Sequence, residues 1–134
     1  MFVLDTNVCV AFLRGTSRTL RDTFLSHTPS QIQIPAIVEA ELLVGARKSQ
    51  RVDDNLAAVR AFLQPFAILP FDRAGAEQYS VIRSDLERAS AVIGPTDLVI
   101  AATVLAAGGT LVTHNTTEFA RVPGLRLVDW QTRR

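Results

Sequence analysis

The chain has 134 residues, 48% of them hydrophobic and 20% charged, with a net charge of +1. That length suits one domain with a real core, and the charge balance excludes a polybasic tail or an acidic disordered chain. One cysteine, Cys9, excludes an internal disulfide and a cysteine metal cluster.

No apolar run reaches the ~18 residues of a membrane helix. No basic segment followed by an apolar one opens the chain, so no signal peptide is expected and the expected location is cytoplasmic. Lys48 is the only lysine among 14 basic residues. Arginine is the better fork for phosphate, and an arginine-rich chain fits either an RNA-facing surface or a GC-rich genome.

In chain order, Phe2-Val3-Leu4 reads as a strand without alternation, the pattern of a strand covered on both faces. A short helix runs from Asn7 to Arg14 and stops at Gly15. A second spans about Ser17 to Ser26, with Leu20, Phe24 and Leu25 inward. QIQIP alternates as a strand and ends at Pro35. AIVEAELLVGARKS and DDNLAAVRAFLQPF read as helices, the latter with Leu56, Val59, Phe62 and Leu63 at helical spacing. AILPF is a strand. The long helix from Asp72 has that residue as its N-cap. GPTDLVIAATVLAAGG is an apolar helix begun at Pro95 or Thr96, and must lie between layers. TLVTHN is a strand running into a loop, and LRLVDW is the last strand. Strands alternate with helices throughout, which predicts a parallel sheet covered on both faces. Such sheets place their sites outside the carboxyl ends of the strands.

The acids fall at that edge. Asp5 follows the first strand, and Asn115 follows the strand from Thr110 to Thr113. Asp97 opens the apolar helix and shares a face with Ile100 and Ala101. Glu41 sits among apolar neighbours on its helix, about 200° away from Glu39. Singly, Asp5 and Asp97 could be helix caps. Jointly, three acids from separate elements border the expected ligand edge. An unpartnered carboxylate cluster is what Mg²⁺ or Mn²⁺ requires. Its use is metal-assisted hydrolysis of phosphodiesters.

The stretches LDTNV, EAELLVGARKS, LPFD, IGPTDLVIAA and LVTHNTTEFARVPGLRLVDW, in this order along the whole chain, resemble the PIN-domain ribonucleases, and within them the VapC toxins of toxin–antitoxin pairs. The resemblance implies a single domain over residues 1–134, a three-layer α/β/α sandwich with a roughly five-stranded, mainly parallel sheet. It also implies a Mg²⁺-dependent endoribonuclease, with Mn²⁺ substituting, acting on structured RNA such as tRNA. The implied partners are a VapB-type antitoxin and a second copy of the chain, within a larger heterooligomer. In such complexes an antitoxin segment lies across the acidic site. The family's first three acids correspond to Asp5, Glu41 and Asp97, expected to be catalytic, with Asp5 and Asp97 as metal ligands and Glu41 as ligand or orienter of the attacking water. The fourth acid is replaced by Asn115, which puts a second metal ion in doubt.

Glu118 is either the missing carboxylate or a first-turn acid on a short surface helix. Thr6 and Asn7 are expected to support the ligands from behind. Arg14, Arg18, Arg21, Arg47 and His114 are candidates for RNA contact, with a solvated surface as the other reading. Val8, Phe12 and the helix from Ile37 to Arg47 are expected to leave apolar surface for a partner.

Two rivals remain. Aspartyl phosphotransferases also place an aspartate after the first strand, but Asp5-Thr6-Asn7 lacks their second acid and no late lysine is present. A catalytically weakened PIN fold that binds RNA or protein without cutting is kept open by Asn115.

Overall fold

The structure, a computed structural model, describes residues 1–132. Short apolar strands separated by helices leave one arrangement that buries both strand faces, a parallel sheet between helical layers. The strands are β1 (Phe2–Leu4), β2 (Ile32–Pro35), β3 (Ala67–Leu69), β4 (Thr110–Val112) and β5 (Arg126–Val128). They form one sheet in the order β3-β2-β1-β4-β5, with every neighbouring pair parallel. Phe2 is in register with Ile32 on one side and Thr110 on the other. Val3, Leu4, Ile34, Leu111 and Val112 are fully buried.

The helices are α1 (Thr6–Arg14), α2 (Arg18–Leu25), α3 (Ala36–Arg47), α4 (Val52–Leu63), α5 (Arg73–Arg88), α6 (Pro95–Ala107) and α7 (Thr116–Phe119). Local chemistry sets their ends. Gly15 takes a left-handed φ of 67° and closes α1 through bonds to the Ala11 and Phe12 carbonyls, a conformation that costs glycine little. The Ser17 hydroxyl caps α2, and Asp72 caps α5 as expected. α6 is apolar all round because it is wedged between α5 and strands β2 and β4. Its one buried hydroxyl, on Thr103, bonds back to the Val99 carbonyl at 2.8 Å.

Connections from β1 and β2 run to one side of the sheet, and those from β3 and β4 run to the other. The direction switches between β1 and β4. Right-handed crossovers then put the early helices on one face and the late ones on the other. The crevice at the carboxyl ends of β1 and β4 is thereby the natural ligand position.

Several expectations change. Leu25 is 60% exposed rather than inward, because α2 ends there and turns away. Val8 is buried, and Phe12 packs on Phe24 and Phe62, so neither is left over for a partner. Leu13 and Val44 are the large apolar residues of that region that stay exposed. α4 stops at Leu63, and the last strand ends at Val128, short of Trp130.

Trp130 instead closes the fold as an anchor. It is almost fully buried, stacks on His27 with centroids 4.7 Å apart, and meets Phe2 at 5.2 Å. His27 is accordingly half-buried, and its Nδ1 lies 2.8 Å from the Thr23 carbonyl. Trp130→Ala should destabilise the chain by about 3–5 kcal/mol. Urea unfolding at neutral pH measures this.

Candidate active site

The site starts from Asp5. Its backbone N–H still belongs to the sheet, bonding the Val112 carbonyl at 3.2 Å. Its side chain already belongs to α1, where Oδ1 accepts the Val8 N–H at 2.8 Å. Asp5 is therefore an N-cap and a strand-end acid at once, and it is 4% exposed. Burial pushes its pKa up, against the stabilising hydroxyl of Thr113 and the Val8 N–H. Thr113, fully buried at the end of β4, also accepts the Asn115 N–H at 3.0 Å. That hydroxyl joins the ends of the two switch-point strands.

Asp97 stands in the first turn of α6, where Gly94, with no side-chain cap, is the N-cap. Asp97 is therefore not the cap of its helix. A helix N-terminus favours a carboxylate by about 0.3–1 kcal/mol. Burial outweighs that, and with the negative charges of Glu118 and Asp5 it raises the Asp97 pKa to about 6.

Glu118 lies on the short helix α7, as one reading had it, yet it faces the site. Its Oε1 accepts the Gly94 N–H at 2.9 Å and its Oε2 accepts the Asn115 side-chain amide at 2.7 Å. These bonds hold its pKa below the usual carboxylate range. Glu118 thus stays charged and repels Asp97. A Cβ on Gly94 would stand 3.8 Å from Asp97 Oδ2 and 3.9 Å from Glu118 Oε1, ordinary contact distances, so Gly94 lies directly beside both acids.

The structure thus couples Asp5, Asp97 and Glu118. Glu41 is not joined to them. It lines a groove of about 320 Å³ between α1, α3 and α4, with Val10, Leu13, Arg14 and Val59. Among the described residues no group of three or more His, Cys, Asp or Glu side chains is arranged to hold a metal ion. The expected meeting of Asp5, Glu41 and Asp97 is therefore not seen. Glu41 is half-buried on α3, on the flank that lines the groove with α1 and α4.

The remaining expected residues divide. The Thr6 hydroxyl, next to Asp5, is buried without a protein hydrogen-bond partner, and Asn7 is exposed. His114 is exposed and pairs through Nδ1 with Asp129 Oδ2 at 2.9 Å. Arg14, Arg18, Arg21 and Arg47 are exposed, and none makes an ion pair among the described residues. Thr113, Gly94 and Asp129 were not anticipated. Asp129 follows β5 as Asp5 follows β1, but LRLVDW reads as one strand to its end, and only the structure shows that β5 stops at Val128.

The donor set suits a hard cation. Mg²⁺ keeps several waters and takes one or two protein carboxylates, which Asp5 and Asp97 can supply without a third. The orphaned Thr6 hydroxyl offers a partner for such a water.

The family model of the PIN domain matches residues 2–125. The chain belongs to the PIN-domain family. It is 36% identical to the tRNA(fMet)-specific endonuclease VapC of Shigella flexneri over 129 residues, 96% of this chain and 97% of that one. It is 35% identical to ribonuclease VapC2 of Rickettsia felis over 131 residues, covering 97% and 98%. The solved structure of DNA-bound VapBC from Salmonella typhimurium superposes with a TM-score of 0.91 at 36% identity, covering 96% and 97%. The α/β fold of this PIN domain, with its all-parallel sheet, matches the expected sandwich, and the resemblance to VapC stands.

The raised Asp97 pKa has a consequence for stability. Between about pH 4 and 6 the folded PIN domain holds a proton that the unfolded chain has released. Stability linked to Asp97 is full below pH ~4 and is lost as pH rises through 6. Asp97→Asn, neutral at every pH, should be the more stable protein at pH 7.5 in EDTA. The gain should be on the order of 1 kcal/mol, since solvent screens a half-exposed group, and it should vanish below pH ~4. Urea unfolding across pH reads both limits.

Proposed function

We propose that this chain is the toxin of a VapBC-type pair, a metal-dependent endoribonuclease that hydrolyses structured RNA, with tRNA the foremost substrate. The observation that carries this reading is the coupled Asp5–Asp97 pair at the switch point, in a chain that matches VapC ribonucleases over nearly its whole length. The name of the Shigella flexneri relative supports tRNA as substrate.

Asp5 and Asp97 would hold Mg²⁺, or Mn²⁺ in its place. Such an ion supplies a water nucleophile at neutral pH and shields charge on the phosphoryl transition state. The residues do the rest. Val8 N–H and Thr113 keep the Asp5 carboxylate fixed at the strand end. Glu118, through Gly94 N–H, ties α7 to the start of α6 and so sets where Asp97 stands. Asn115, in place of the family's fourth acid, gives its amide to Glu118 and adds no charge, which favours a single ion. No step requires the RNA 2′-hydroxyl, so products should end in 5′-phosphate and 3′-hydroxyl.

A VapB-type antitoxin is the proposed partner, supported by the VapBC structure. The groove between α1, α3 and α4 is apolar along Val10, Leu13 and Val59 and carries one charge of each sign, Glu41 and Arg14. It suits an amphipathic segment with its apolar face inward. A homodimer within the complex is part of the same proposal. The lack of a three-acid cluster among the described residues favours one second reading, a weakened PIN domain that binds RNA without cutting it.

Purified chain freed of antitoxin should cleave total tRNA with Mg²⁺ or Mn²⁺ and not with EDTA. Asp5→Asn should lower the rate at least about 100-fold, with circular dichroism unchanged. RNA binding without metal-dependent cleavage would favour the second reading. Leu13→Asp should weaken antitoxin binding by more than about tenfold, measured by calorimetry, and leave RNA cleavage by the free toxin intact.

A further inference from the structure

The acidic edge works against its own substrate. Asp5, Asp97, Glu118 and Asp129 all follow or flank the ends of strands β1, β4 and β5 or open α6, and RNA is a polyanion. Binding it requires donors to phosphate. Of the first two residues after each of β1, β4 and β5, His114 is the one that can carry positive charge. Its attraction for Asp5 works against the burial that raises the Asp5 pKa, as the smallest of the opposing influences.

The placement of His114 is built. Asp129 Oδ2 lies 2.9 Å from its Nδ1. Asp129 is itself fixed, since its Oδ1 accepts the Gln131 N–H at 2.8 Å and its Oδ2 accepts the Thr132 hydroxyl at 2.7 Å. Burial works against the Asp129 charge, but these bonds and His114 outweigh it and hold its pKa below the usual range. The next residue, Trp130, is locked on His27 and Phe2. The anchor therefore runs from the first strand through Trp130 to Asp129. Meanwhile the His114 side chain is 64% exposed, and its Nε2 makes no hydrogen bond among the described residues. A ring oriented at one nitrogen and open at the other presents a binding group at low entropic cost.

We propose that Asp129 and His114 form a phosphate clamp in which His114, oriented by Asp129, donates from Nε2 to a phosphate oxygen of the bound RNA. An imidazolium between a carboxylate and a phosphate is held by both, and it offsets the repulsion from the acid pair. His114 thereby contributes to substrate binding, and Asp129 is a positioning residue acting through it. This inference rests on the RNA-cleavage reading of the same site.

The test uses antitoxin-free protein, Mg²⁺ and total tRNA. His114→Ala should raise KM about 5- to 20-fold while changing kcat less than about twofold, the mark of lost binding energy. His114→Arg, which restores a cationic donor, should recover most of the KM. Asp129→Asn should raise KM several-fold in the wild-type background and have no added effect on His114→Ala. In the non-cleaving Asp5→Asn background, removing His114 should lessen the salt dependence of tRNA binding by about one phosphate contact.

An unchanged KM in His114→Ala, or independent effects of the two substitutions, overturns the clamp. So does a loss confined to antitoxin affinity, which would give the ring to the protein partner. If the wild type cleaves no RNA, the enzymatic reading fails. The same tRNA-binding comparison still decides the clamp.

Discussion

A carboxylate buried at the end of the first strand is the constraint on which the site depends. Asp5 is held by a helix N–H and a threonine hydroxyl, and these bonds do not fully offset its loss of water. Its charge then bears on Asp97, which is raised further by burial and by Glu118. Glu118 cannot relieve this by taking a proton, because the Gly94 N–H and the Asn115 amide keep it ionised. The result is an edge with negative charge in excess of its protein partners. A divalent cation and a cationic clamp on the substrate are two ways to balance it.

The fold creates this conflict by topology. Parallel strands all deliver their carboxyl ends to one edge, and the reversal of connection between β1 and β4 opens a crevice there. Thr113 bridges the two strand ends, so the site is tied to the most buried part of the sheet. The C-terminal Trp130 does comparable work on the far side. Its stack on His27 and its tilted contact with Phe2 fix Asp129, and Asp129 fixes His114. The Gly94 N–H holds Glu118 at the start of α6, beside Asp97.

Much of this was legible in the sequence where one residue type has one physical use. The unalternating Phe2-Val3-Leu4 and the apolar Pro95–Ala107 segment specify burial on both sides, and the sheet follows from them. Asp5 and Asp97 could be placed because strand ends and helix starts are fixed by local chemistry. Glu41 could not be placed, because helical periodicity gives its face but not what the neighbouring helices turn toward it. It lies in the groove beside Arg14 instead. Leu25 was misread because the period of α2 does not show where the helix ends. Asp129 and Thr113 were missed because their roles depend on contacts across strands 15 or more residues apart in sequence, a distance no local pattern spans.

The most direct measurement is a ¹³C NMR titration of the Asp97 carboxyl, with and without Mg²⁺. In EDTA its midpoint should lie near pH 6, the value set by burial and by the charges of Glu118 and Asp5. Saturating Mg²⁺ should carry it well below the ordinary aspartate range, because a bound cation favours the ionised form. A midpoint that Mg²⁺ leaves in place, or one that is ordinary in EDTA, would contradict the view that these carboxylates form a cation site.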